Sequence, residues 1–276
     1  MTQSSSKSRT WPVPERRRTP KIIAIVNQKG GVGKTTTAIN LGAALAEDDY
    51  GVAIIDLDPQ GNASTGLGID VEDRSLTTYD LLLEGKSFSE VLIPTEYENL
   101  RIVPATPDLS SADIEMYSNR KRSFLLKDAL TSRDVETLGL DYVLIDCPPS
   151  LSLLTVNAMV AAHSILVPLQ SEFFALEGLS QLMLTMREVR QSANPDLRME
   201  GVVLTMFDGR NRLAQQVLAD AKDTLGELVF STVVPRNVRV SEAPSFARAV
   251  IDYDPLSKGS VAYRSLAQEL TTRATV

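Results

Sequence analysis

A glycine-rich stretch between two apolar segments holds the residue types that bind phosphate groups. The apolar run before it is typical of a buried parallel strand, and the segment after it repeats apolar residues at helical spacing. Strand, glycine-rich turn and helix form the context of a phosphate-binding loop, because loop N–H groups and the helix N-terminus attract the anion. The sequence therefore predicts a nucleotide site, in which Lys34 reaches the β- and γ-phosphates and the Thr35 hydroxyl binds Mg²⁺. The loop consists of Lys29, Gly30, Gly31, Val32, Gly33, Lys34, Thr35 and Thr36.

Two positions differ from the common pattern G-x-x-x-x-G-K-[ST]. Gln28 stands where the first glycine would fall, and a second lysine, Lys29, begins the loop. By residue type alone, Lys29 is either a solvated surface charge or a second group directed at phosphate.

Three aspartates at the ends of apolar runs are candidates for the chemistry. Asp56 and Asp58 end one run, and alternation along a strand points them to the same side. One can support the water shell of a metal ion, and the other can orient an attacking water or accept its proton. The same residues also suit an ordinary strand-to-turn transition. Asp146 ends another run and is expected to be the second Mg²⁺-supporting carboxylate, whereas Cys147 beside it is interpreted as a buried filler.

Composition limits the class of protein. The chain has 276 residues, a formal net charge of −7 and a single cysteine, as expected for a soluble protein of a reducing compartment. No segment resembles a membrane span or a cleavable signal. Residues 1–20 hold five basic residues and one acidic residue among serines and prolines, and we predict a disordered basic tail there. Its arginines either aid solubility or contact an anionic partner such as nucleic acid.

From residue 21 onward, apolar strands alternate with helices. Residues 66–99 are less regular and are expected at the surface. The alternation predicts a single α/β P-loop NTPase domain over 21–276, with a mostly parallel twisted sheet and helices on both faces. Ligands should bind at the carboxyl ends of the strands. Strands are predicted at 22–27, 52–58, 100–104, 142–146, 165–169, 201–205 and 229–235, and helices at 152–162, 176–191, 213–225 and 260–272.

The motifs together resemble the ParA/Soj family of bacterial chromosome- and plasmid-partitioning ATPases, in the deviant-Walker class that also includes the MinD ATPases. The resemblance runs from about residue 21 nearly to the C-terminus. It implies ATP and Mg²⁺ as cofactors, an ATP-bound homodimer, non-specific binding to double-stranded DNA and a cytoplasmic, nucleoid-associated protein. A ParB-type centromere-binding partner would stimulate slow ATP hydrolysis. The residues that carry the resemblance are 29–36, 56–62 and 146–149, with further support from 167–179 and 234–244.

The resemblance also implies roles for single residues. Lys29 resembles the signature lysine that reaches the phosphates of the partner across the dimer. Lys34 resembles the ordinary phosphate lysine, and Asp58 resembles the carboxylate that positions the hydrolytic water. These three are the expected catalytic residues. The expected metal site consists of the Thr35 hydroxyl, Asp56 and Asp146.

Two pairs of residues outside the motifs also match family positions. Pro235 and Asn237 match the segment that lines the adenine pocket. Arg210 and Arg239 match arginines that bind DNA on the dimer. Acidic residues surround both arginines in the sequence, so a role as solvated surface charges remains the alternative.

Other functions share parts of this pattern. A MinD-like membrane-cycling ATPase would need a C-terminal amphipathic helix, whereas Leu266 and Leu270 form only a short apolar stripe with little basic charge. An electron carrier like the nitrogenase iron protein would need more cysteines for a cluster. A nucleotide-sensing scaffold that does not hydrolyse would not require both Asp58 and Asp146. We therefore expect an ATP-dependent DNA-partitioning switch that does not bind membranes.

Overall fold

Seven strands form one sheet within the residues that the computed structural model describes, 19–172 and 175–273. Their order is β3-β4-β2-β5-β1-β6-β7. All neighbouring strands are parallel except β3, which runs antiparallel to β4. The predicted α/β fold with a mostly parallel sheet is confirmed. The strands are β1 Lys21–Ile25, β2 Val52–Asp56, β3 Ile93–Pro94, β4 Leu100–Val103, β5 Tyr142–Asp146, β6 Ser164–Gln170 and β7 Arg198–Thr205.

Helices cover both faces of the sheet. The apolar side chains of α1 and α13 pack on one face, and those of α8 and α9 pack on the other. The α-helices are α1 Lys34–Glu47, α2 Asn62–Gly66, α3 Thr78–Leu83, α4 Phe88–Val91, α5 Leu109–Glu115, α6 Leu125–Leu130, α7 Arg133–Thr137, α8 Leu153–Ala161, α9 Ala175–Ser192, α10 Arg212–Leu225, α11 Val238–Glu242, α12 Val250–Tyr253 and α13 Lys258–Arg273. Short 3₁₀ helices occupy Val71–Asp73, Met116–Ser118, Gly226–Leu228 and Ala243–Phe246.

Strand β1 places the glycine-rich loop at the middle of the sheet. Alternate residues of β1 enter opposite cores, because Ile22 and Ala24 pack with α8 and α9 while Ile23 and Ile25 pack with α1 and α13. The strand is paired on both sides, with β5 and with β6. The loop after β1 therefore opens at the centre of the carboxyl edge, where open α/β sheets bind ligands.

The strand predicted at 229–235 is wrong. This segment runs along β7 but makes only isolated bridges, Val202 with Val229 and Phe207 with Pro235. The backbone N–H groups of Ser231 and Thr232 donate to the carboxylate of a distant residue, Glu269, at 2.8 and 2.9 Å. Because these N–H groups bond to Glu269, the middle of the segment does not join the β-ladder, although Val229, Phe230 and Val234 are buried.

The surface location expected for residues 66–99 is wrong in part. Leu81, Leu82 and Phe88 are buried in the core, on two short helices. Both helices begin with a capping box, in which Thr77 and Ser87 bond reciprocally with the acidic residue three positions later. That spacing was readable in the sequence and marks the two helix starts.

The apolar stripe of the last helix serves the core. Leu266 and Leu270 on α13 are fully buried and pack in the same cluster as α1. Among the described residues, no helix combines the length and the apolar character needed to cross a membrane. The predicted basic tail lies outside the described residues apart from Thr19 and Pro20.

Candidate functional site

The glycine-rich loop joins the end of β1 to the start of α1 in a tight curl. Gly31 and Gly33 have φ values of +74° and +89°, in the left-handed region that favours glycine. The Thr205 hydroxyl, at the end of β7, donates a 2.8 Å hydrogen bond to the Val32 carbonyl. Because α1 begins at Lys34, the unpaired N–H groups of its first turn lie at this loop, as an anion site requires.

The two lysines of the loop occupy different environments. Lys34 is only 6% exposed, and its Nζ donates a 3.0 Å hydrogen bond to the Lys29 carbonyl. Burial lowers the pKa of the Lys34 ammonium, and the charges of Asp146 and Asp58 oppose that shift. The Lys29 ammonium instead forms an ion pair with Glu172 of the same chain, and both of these side chains are about half exposed. The role of Lys29 across a dimer stays a prediction.

Asp56, the last residue of β2, is committed to hydrogen bonds within the chain. Its carboxylate accepts bonds from the Ser64 N–H at 2.9 Å and from the Ser64 hydroxyl at 2.7 Å. A longer bond of 3.3 Å comes from the Asp58 N–H. Burial raises the pKa of Asp56 to about 6, although the bonds from Ser64 act in the opposite direction. These contacts anchor the start of α2, and the role of Asp56 in metal binding stays a prediction.

Asp58 lies two residues beyond, in the turn between β2 and α2. Its carboxylate accepts a 3.0 Å hydrogen bond from the Gln60 N–H, and its carbonyl accepts one of 2.9 Å from the Gly61 N–H. The residue is 8% exposed and reaches the same cleft as the loop. A carboxylate held in this way, with part of its surface open to the cleft, can orient a water molecule.

Asp146 has the environment that a hydrated magnesium ion would complete. It is fully buried, and neither carboxylate oxygen has a hydrogen-bond partner of good geometry among the described residues, although the Thr35 hydroxyl lies close enough to affect its pKa. Burial and the charge of Asp56 raise its pKa well above the usual range, and the neighbouring Thr35 hydroxyl and Lys34 ammonium oppose this shift. Buried polar atoms normally find partners. Two unsatisfied oxygens beside a phosphate loop and a threonine hydroxyl therefore fit a cation with its water shell.

The donor set suits magnesium better than a metal held by protein alone. In the described parts of the chain, no cluster of three or more His, Cys, Asp or Glu side chains could hold a metal ion. Magnesium usually keeps several waters and takes only one or two protein ligands together with substrate phosphates. Thr35 and Asp146 fit that arrangement. Cys147, the neighbour of Asp146, is buried with a raised pKa, as expected for a packing residue.

A cleft of about 480 Å³ contains most of the predicted phosphate site. The loop lines it together with Asp58 and with Gln60, Asn62 and Thr65, from the turn and helix after β2. Among the residues that the structure describes, Lys29, Asp56 and Asp146 are not on its surface. The loop residues that line the cleft are Gly30, Gly31, Gly33, Lys34, Thr35 and Thr36.

A side recess of about 310 Å³ adjoins the phosphate cleft. Pro235 and Asn237 line it, so the structure brings them next to the loop, and their role in a base pocket stays a prediction. Met206 lines both spaces and Tyr263 closes the recess from α13, and sequence reasoning missed both. Met206 directly follows β7 and has φ of +50°, so its place at a carboxyl strand end was the available signal. The sequence offered no such signal for Tyr263, because helical spacing indicates only that it is a core residue.

The two arginines expected to bind DNA are exposed but paired with acids. The Arg210 side chain is 92% exposed and lies 3.1 Å from the Asp208 carboxylate. Arg239 is 3.0 Å from Glu242 and 3.3 Å from Asp254. DNA binding by these arginines stays a prediction, and it would require phosphate groups to compete with the acidic partners.

Comparisons with known proteins agree with the fold and the motifs. A family model described as an AAA domain matches residues 20–199. The chromosome partitioning protein ParA of Myxococcus xanthus is 52% identical over 255 residues, which cover 92% of this chain and 89% of that protein. The sporulation initiation inhibitor protein Soj of Bacillus subtilis is 49% identical over 250 residues, which cover 91% of this chain and 98% of that protein.

A solved structure supports the same relationship. The crystal structure of a Mycobacterium smegmatis protein, described as cobyrinic acid a,c-diamide synthase with bound ADP and magnesium, superposes with a TM-score of 0.79. It is 36% identical, and the match covers 93% of this chain and 96% of that one. Sequence identity along nearly the whole chain, the loop motif and the shared fold show that this chain belongs to the ParA/Soj family of chromosome partitioning proteins.

Proposed function

We propose that this protein is an ATP-dependent switch for DNA segregation. The observation that carries the proposal is a single phosphate loop with one buried and one exposed lysine, at the sheet edge where Asp58 and Asp146 also lie. Relatives named as chromosome partitioning proteins, at about half identity over most of the chain, support the biological role. The geometry of the site supports a separate role for each of these residues.

ATP would bind with its base in the side recess and its phosphates in the cleft. The loop N–H groups and Lys34 would hold the β- and γ-phosphates. Magnesium, held by the Thr35 hydroxyl and near Asp146, would neutralise charge on the phosphates. Asp58 would orient the attacking water and accept its proton, because its carboxylate is fixed by the Gln60 N–H at the cleft surface.

Two protomers would meet through the ATP that each one binds. Lys29 would leave Glu172 and contact the phosphates of the partner, which its exposed position allows. The dimer would present two copies of Arg210 and Arg239 to double-stranded DNA, without reading sequence. Hydrolysis, slow alone and stimulated by a ParB-type centromere-binding partner, would separate the protomers and release the DNA. The protein would work in the cytoplasm on the nucleoid.

DNA co-sedimentation with ATP, with ADP and without nucleotide tests the proposal. Wild-type protein should sediment with DNA only in ATP, and Asp58→Ala should remain bound longer because its hydrolysis is much slower. Asp196→Ala is a matched control, since this exposed acid precedes β7 at the opposite edge of the sheet. Equal sedimentation in all three nucleotide conditions would show that nucleotide does not control DNA binding.

A further inference from the structure

A buried arginine, Arg74, supports the segment that carries Asp58. The residue is only 7% exposed. Its Nε and Nη2 donate to the Ile69 carbonyl at 3.2 and 2.7 Å, and its Nη1 donates to the Ala105 carbonyl at 2.9 Å. Nη2 also donates to the Thr65 hydroxyl at 2.8 Å. All of these acceptors are carbonyl or hydroxyl oxygens. Burying a guanidinium is costly, and here these four hydrogen bonds and the nearby charges of Asp56 and Asp70 oppose that cost.

The Thr65 hydroxyl links Arg74 to the turn that holds Asp58. It accepts the bond from Arg74 and donates a 3.1 Å bond to the Gly61 carbonyl. The Gly61 N–H in turn donates 2.9 Å to the Asp58 carbonyl. The direction of the Thr65 hydroxyl proton is therefore set by the arginine, which can only donate.

Gly61 rests directly on the guanidinium. Its φ is +63°, and a Cβ built on it would lie 2.4 Å from Arg74 Nη1 and 2.9 Å from the Ala105 carbonyl oxygen. This close approach requires glycine at position 61. It lets the guanidinium of Arg74 pack directly against the backbone of the turn that carries Asp58.

The backbone of Ala105 anchors the segment a second time, through its N–H as well as its carbonyl. Its N–H donates a 3.1 Å hydrogen bond to the Ser64 hydroxyl, and that hydroxyl donates to Asp56. The carbonyl of Ala105 accepts from Arg74. Ser64 and Thr65, neighbours on α2, are thus both linked to Ala105, just after β4, and Thr65 is linked through the arginine.

We propose that Arg74 is a positioning residue for ATP hydrolysis, acting on Asp58 through Thr65 and Gly61. The inference rests on the proposed function, in which Asp58 orients the attacking water. Lysine should not replace Arg74, because one ammonium cannot reproduce a planar fork that bonds three separate acceptors. A small displacement of the turn would move the Asp58 carboxylate away from the attacking water. The glycine-rich loop and Lys34 would still bind ATP.

The first test is Arg74→Lys, with ATP affinity and single-turnover hydrolysis measured separately. We expect hydrolysis to slow about 10- to 100-fold, the effect of misplacing a catalytic group by about 1 Å, and affinity to change less than about threefold. Arg101→Lys is the matched control, because Arg101 on β4 is also a part-buried guanidinium that donates to a carbonyl, that of Leu138. It should leave both quantities unchanged.

A double mutant separates positioning from general destabilisation. Arg74→Lys should add no further loss in an Asp58→Ala background, because the group that it positions is already gone. If the two losses multiply, or if affinity and hydrolysis fall in parallel, Arg74 is only structural and the inference is overturned. Normal turnover of Asp58→Ala alone would instead overturn the proposed function.

A pair of substitutions at Thr65 tests the link without touching the arginine. Thr65→Val removes the hydroxyl at nearly constant shape, and it should slow hydrolysis by about the same factor as Arg74→Lys. Thr65→Ser keeps the hydroxyl and should restore most of the rate. Should Arg74→Lys fail to fold, this pair decides: equal rates for the two Thr65 variants contradict the link.

Discussion

Replacing each of the two loop lysines separately should distinguish loss of ATP binding from loss of dimerisation alone. Lys34→Ala removes a buried ammonium that, in the proposed function, would contact two phosphates of ATP. Charge-assisted hydrogen bonds contribute about 1.5–3 kcal/mol each, so the loss should be about 3–6 kcal/mol, or about 10²- to 10⁴-fold in ATP affinity. Lys29 does not line the phosphate cleft and is half exposed in an ion pair with Glu172, so a contact of its ammonium with ATP on the same protomer would contribute at most about 1 kcal/mol, as exposed ion pairs do. ATP affinity should therefore fall less than about tenfold, while the ATP-dependent dimer and hydrolysis are lost.

Titration with a fluorescent ATP analogue measures the affinities, and size-exclusion chromatography with light scattering measures the dimer. Lys121→Ala is the matched control, because Lys121 is another exposed lysine in an ion pair, 3.3 Å from Asp128. It should behave as wild type in both assays. The reasoning is refuted if Lys29→Ala dimerises normally with ATP, or if both loop variants lose affinity to the same extent.

Three further predictions concern DNA binding and acid stability. Arg239→Ala and Arg210→Ala should weaken binding equally on unrelated DNA sequences and lower the log–log salt slope by about one for each phosphate group that is no longer neutralised. Filter binding across a salt series measures this, and unchanged slopes in both variants contradict it. Deleting residues 1–20 should preserve ATP-dependent DNA binding in the same assay; complete loss, with both arginine variants intact, would assign DNA binding to the tail. Burial raises the pKa of Glu269, but hydrogen bonds from two backbone N–H groups outweigh burial and the pKa is lowered from 4.5. The unfolded state then binds the proton more readily, so the free energy of unfolding falls as the pH drops through 4.5 toward the folded-state value. Glu269→Gln should lose this acid dependence in urea unfolding, and an unchanged pH slope would contradict the prediction.

The conformation of the glycine-rich loop and its place between β1 and α1 could be predicted from sequence because their determinants are local. Gly31 and Gly33, with positive φ, allow the curl, and the apolar run before them is buried on both faces of the sheet. Asp58 and Asp146 end up near the loop because parallel strands finish at one edge. The register pairs Asp56 directly with Asp146, so two aspartates at the ends of apolar runs were enough to place them together.

Contacts between distant parts of the chain could not be predicted in this way. Apolar composition suggested a strand at 229–235, but Glu269 takes two of its N–H groups, and nothing near that segment indicates such a partner. Glu172 beside Lys29 and Arg74 beneath Gly61 are likewise set by tertiary packing. A charged residue in an irregular segment has many possible partners, and only the fold selects one.

Release of DNA during a single round of hydrolysis tests most directly whether hydrolysis operates the switch. Protein bound to fluorescent duplex DNA with ATP is mixed with excess unlabelled DNA, and DNA release and phosphate formation are followed together. In the wild type both should proceed at one rate, and in Asp58→Ala both should slow by the same factor, about 10²- to 10⁴-fold for a positioned base. Release that stays at the wild-type rate in Asp58→Ala, while phosphate formation stops, would contradict a switch operated by hydrolysis.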